Sequence, residues 1–118
     1  MPDRALPDPI LAAIGDHQFT YDMFQVAPDG DPAEFAQIEM IEARDRLLST
    51  SCATLAGCFA LVEHLRWFIA EEACNYAVEN GPDWQRVVAR EAELAMLLGS
   101  KLPGRLLISP EIELGAVQ

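Results

Sequence analysis

The stretch Thr54-Leu-Ala-Gly-Cys-Phe-Ala-Leu-Val-Glu-His-Leu-Arg-Trp-Phe-Ile-Ala70 constrains the fold more than any other part of the chain. It reads as one long helix, apolar around most of its circumference, with a narrow polar side. A helix that apolar has to be covered by neighbours, so the expected class is an all-α helical bundle. Glu63, His64 and Arg66 interrupt the run, which therefore falls short of the roughly 18 uninterrupted apolar residues of a membrane-spanning helix.

Helix start and stop signals place three to four helices. Asp8-Pro9 is a cap followed by proline, opening a first helix that runs to about Val26. Pro28-Asp-Gly-Asp-Pro32 is a turn, and Asp31-Pro32 repeats the same chemistry for a second helix reaching about Leu48. Thr54 caps the long third helix, which stops near Glu72 or continues to Glu79. Asn80-Gly81 is a stop signal, and Pro82-Asp83 starts a last helix reaching about Gly99. The short turns favour antiparallel neighbours in an up-down bundle. Residues 1–101 form the bundle domain on this reading. Residues 102–118, beyond the Lys101-Leu-Pro-Gly104 breaker, form a C-terminal tail of extended, period-two character.

The apolar pattern is richer than one core needs. On the first helix Ile10, Ile14, His17, Tyr21 and Phe24 share one arc, the expected core face, while Phe19, Met23 and Val26 lie on the opposite side. The second helix carries two stripes, one of Ile38, Ile41 and Leu48, the other of Met40, Leu47, Ala36 and Ala43. Trp67 falls among Glu63, Arg66 and Glu71, on the polar side of the third helix. Phe19, Met23, Val26 and Trp67 are the expected interface residues of a homodimer, or of a site for an unidentified protein partner.

Charge and cysteine usage narrow the function classes. The net charge is −11, and residues 1–45 account for −8 of it, with ten acids against Arg4 and Arg44. Nucleic acid and anionic membranes are disfavoured as partners, because each needs a basic surface. Cys52, Cys58 and Cys74 are odd in number and lack CxxC spacing, which fits reduced thiols. With no basic-then-apolar leader in the opening Met1-Pro-Asp-Arg, the expected location is cytoplasmic.

Chemistry-bearing residues are few. His17, Asp45 and the last helix's Glu91 sit in apolar stripes, where desolvation makes an unpaired ionisable group costly. In an antiparallel bundle Asp45 comes about a turn from His17, so the two could pair, with Glu91 as a third member of a polar core site. Such a trio is the basis for an alternative function, a small-molecule or metal-binding bundle. Paired Glu-x-x-His motifs, which a di-metal carboxylate bundle requires, do not occur. Cys52 stands near a helix N-terminus, a position that lowers a thiol pKa, but no histidine is placed beside it by sequence. No catalytic residue, cofactor or metal is expected, and a non-enzymatic interaction protein is the favoured reading.

Three local features, Asp8-Pro-Ile10 opening a helix that contains His17, the short polar loop into Thr54-Leu-Ala-Gly57, and the Asp83-Trp84 helix start, together resemble a group of small uncharacterised helical proteins of alphaproteobacteria. The resemblance covers about residues 8–99. It implies a helical fold and carries no assigned activity.

Overall fold

A computed structural model describes residues 8–101 of the chain. Five helices make up most of them: α1 (Pro9–Val26), α2 (Asp31–Ser49), α3 (Leu55–Glu72), α4 (Tyr76–Glu79) and α5 (Trp84–Lys101). No strand occurs among the described residues, and no helix there is long and apolar enough to cross a membrane. The extended tail expected over 102–118 lies outside the described residues.

Local chemistry sets the helix ends. Asp8 caps α1 by accepting from the Ile10 N–H at 3.2 Å, with Pro9 fixing the first turn. Ala27 ends the helix in an extended conformation, as a residue before proline must. At the start of α2 the cap position is Gly30 rather than Asp31, because the tight turn after Pro28 needs φ of 98° there. Thr54 caps α3 and accepts from Gly57 N–H at 2.9 Å.

The third helix ends at Glu72. Cys74 takes φ of 71°, left-handed backbone that a non-glycine residue adopts at a cost and that no helix continues through. Its N–H is held by the Glu79 carboxylate at 2.9 Å, which closes the chain over the single turn of α4.

Four packed pairs build the fold: α1 on α2, α1 on α3, α3 on α5 and α2 on α5. α1 and α3 start together, since one Asp8 oxygen accepts from Ala53 N–H (2.9 Å), Thr54 N–H (2.8 Å) and the Thr54 hydroxyl (2.8 Å). They also finish together, where Tyr21 of α1 donates its hydroxyl to Glu72 of α3. Gly57 sits under this joint: a Cβ there would meet the Asp8 carboxylate and approach Ile10 Cγ2 to 2.9 Å.

Ile10, Leu47, Leu61, Leu65, Phe68 and Val87 are the largest of the fully buried apolar side chains. The arc on α1 that carries Ile10, His17 and Tyr21 faces this core, with Ile14 and Phe24 half-buried at its edges. Of the two stripes on α2, Met40, Ala43 and Leu47 turn inward, while Ile38 and Ile41 stay exposed.

Candidate functional site

The inner arcs of α1 and α3 meet at two histidines. His17 Nδ1 and His64 Nε2 lie 2.7 Å apart, a hydrogen bond in which one ring must donate and the other accept. The rings cross nearly at right angles, with centroids 5.0 Å apart. Phe68 meets His17 edge-on at 5.2 Å, and Trp67 stacks on His64 at 5.2 Å and 29°. His17 is fully buried, and among the described residues its second nitrogen, Nε2, has no hydrogen-bond partner. Whichever tautomer is present, one polar atom of the pair is left unsatisfied in the core.

Burial decides the charge state. It pushes His17 down to about 3, helped by the charge of His64 and of Arg44, and pushes His64 down to about 4. Both rings are therefore neutral near pH 7. The two nitrogens that face each other are engaged with each other, and among the described residues no group of three or more His, Cys, Asp or Glu is placed to share a metal ion.

Next to the pair, Tyr21 donates to the buried carboxylate of Glu72, whose other oxygen accepts from the Asn75 amide at 2.8 Å. Burial and then the hydrogen bond to Glu72 raise the Tyr21 pKa, so the phenol keeps its proton. Tyr21 and Glu72 form part of the wall of a cleft of about 240 Å³ that also reaches Arg44, Asp83, Phe68 and Trp84. Arg44 donates to Asp83 from Nε (3.2 Å) and Nη2 (3.1 Å), and its guanidinium lies 5.9 Å from the Phe68 ring centroid.

The trio expected from sequence is not assembled. His17 is buried where expected but pairs with His64, not with Asp45. Asp45 is solvated and bonds Arg86 at 2.9 Å, because the inner arc of α2 is Met40, Ala43 and Leu47, and Asp45 stands two residues, about 200°, beyond Ala43. Glu91 is half-buried and paired with Arg66 at 2.7 Å. Cys52 departs from expectation as well: burial and the neighbouring Cys58 thiol raise it to about 11, the reverse of activation.

Phe19, Met23 and Val26 are exposed on the outside of α1, at 66%, 48% and 74%. Trp67 is half-buried, with its ring on His64 and against the edge of Tyr21 at 5.0 Å. The sequence reading passed over His64 and Glu72. Both lie on the helical arc of Leu61, Leu65 and Phe68, and that periodicity was the available signal.

No protein-family model, curated protein or solved structure matches the chain.

Proposed function

We propose that the chain is a non-enzymatic, cytoplasmic interaction protein that works as a homodimer through the outer face of α1. One observation carries this reading: Phe19, Met23 and Val26, spaced to share one side of α1, are all exposed, as are Phe35 on α2 and Phe59 on α3. Phenylalanine belongs inside a folded domain, and several large apolar groups left outside mark a surface that another protein covers. Phe19, Met23 and Val26 supply aromatic and methionine contacts of the kind that anchor interfaces. A two-fold axis across α1 would set each copy of this face against the other.

In this proposal α1, α2, α3 and α5 alternate in direction as an up-down bundle. The shared start of α1 and α3 at Asp8 and Thr54 supports it, as does the hydrogen bond between their ends. The resemblance to small helical alphaproteobacterial proteins belongs to the same proposal, since the Asp8 and Thr54–Gly57 motifs that suggest it meet in one joint. A net charge of −11 argues against nucleic acid or an anionic membrane as the partner. Trp67, anchored on His64, backs the core, and the docking contacts fall to α1.

Replacing Phe19 and Met23 by Glu tests the reading. Native mass spectrometry should show the dimer reduced to monomer, with far-UV circular dichroism unchanged. A variant that keeps the wild-type oligomeric mass overturns the assignment of this face.

A further inference from the structure

We propose that the cleft between α1, α2, α3 and the start of α5 is a binding site for a small organic cation, an amine carried on an apolar or aromatic body. Its walls are aromatic, with Tyr21, Phe24, Phe68 and Trp84 contributing rings. Its volume of about 240 Å³ lies below the roughly 300–1,000 Å³ of sites that take drug-sized ligands, so the occupant is small.

The charges along the wall select the sign of that occupant. Arg44 and Asp83 neutralise each other at 3.1 Å, and Asp83 receives a second guanidinium from Arg86 at 3.2 Å. Glu72 differs from Asp83. The residue is more than nine-tenths buried, and among the described residues its side-chain hydrogen bonds come from the Tyr21 hydroxyl and the Asn75 amide, both neutral donors. A carboxylate offers about four lone-pair sites, of which these donors use two. Among the described residues no cationic side chain pairs with Glu72, and an ammonium group entering the cleft would supply a charged donor to a free lone pair of this buried carboxyl group.

The surrounding rings suit the same ligand. Tyr21, Phe24 and Trp84 on the wall supply aromatic surface for the hydrocarbon part of such a ligand, while the Phe68 ring is already engaged by the Arg44 guanidinium. An anionic ligand would have to compete with the Asp83 carboxylate for the charge of Arg44, the one guanidinium on the wall. The Tyr21 hydroxyl donates to Glu72 and keeps its proton, so it fixes the carboxylate's orientation without competing as a charge. This site is separate from the His17, Asp45 and Glu91 grouping, which the fold does not bring together.

Three probes of one shape but different charge test the proposal by calorimetry on the full chain: 2-phenylethylamine, 2-phenylethanol and 3-phenylpropanoate. The amine should bind about tenfold or more tightly than the alcohol, as a charge-assisted hydrogen bond to a buried carboxylate requires, and 3-phenylpropanoate should bind most weakly. The preference is read on the wild-type protein, so it does not depend on any variant folding. Glu72→Gln keeps an acceptor for Tyr21, and with unchanged circular dichroism it should bind amine and alcohol within about threefold of each other. Equal binding of the three probes overturns the proposal, and so does binding of none of them at millimolar concentration. A preference for the amine that survives in a folded Glu72→Gln protein assigns the selectivity elsewhere and also overturns it.

Discussion

The His17–His64 pair shows how a buried polar contact shapes stability without adding much to it. Removing one ring nitrogen partner from the core leaves the other unsatisfied, at about 1–3 kcal/mol. His64→Leu alone should therefore destabilise the fold, because both nitrogens of His17 then lack partners in the core. Replacing both rings together, His17→Phe with His64→Leu, should recover much of that loss. The pH dependence has a definite sign. In the unfolded chain each histidine takes a proton near 6.5, whereas the folded rings resist until about 4 and about 3. Above 6.5 the pair leaves stability unchanged, and as the pH falls below that value the unfolded state binds the extra protons, so stability is lost. Urea unfolding at pH 7 and pH 5 should differ by on the order of 4 kcal/mol more in the wild type than in the double variant, about 2 from each ring. A pH dependence identical in the two proteins would show that the rings titrate normally. His17 was legible in the sequence as a buried ionisable group, but its partner was not. The periodicity of α3 puts His64 on the buried arc, but pairing it with His17 required knowing that α1 and α3 start side by side, which a hydrophobic pattern on separate helices does not encode.

At the scale of elements, the start signals were the most readable part of the sequence. Asp8-Pro9 and Thr54 cap α1 and α3 as their residue types dictate, since a short oxygen-bearing side chain satisfies N–H groups that a helix leaves free. The stop of α3 was less readable. It depends on Cys74 entering left-handed backbone, and the sequence has no glycine there to announce it. The choice between the two stripes of α2 was also open, because both are apolar and only the packing of α5 and α1 selects Met40, Ala43 and Leu47. The joint between α1 and α3 makes its own prediction. Gly57→Ala puts a methyl group into the Asp8 carboxylate and Ile10, and overpacking of this kind costs about 1–3 kcal/mol. Chemical denaturation should show that loss, although alanine is the better helix former. An alanine variant as stable as the wild type would mean that the joint has room to open.

At the scale of the whole molecule, an inner core and an outer apolar surface share the same helices. α1 shows this most clearly, with His17 and Tyr21 inside and Phe19, Met23 and Val26 outside. The excess of apolar positions over what one bundle core can bury was visible in the sequence. What covers the outer face was not, since neither the number of copies nor a partner is written in one chain's periodicity. The balance of forces is nonetheless clear: apolar contact favours pairing, and a charge of −11 on each copy opposes it. Native mass spectrometry of the untagged wild-type protein weighs the two directly. A species of twice the 13.0 kDa chain mass is the expected result, and a monomer persisting at tens of micromolar and in raised salt, where charge repulsion is screened, would contradict the interaction-protein account.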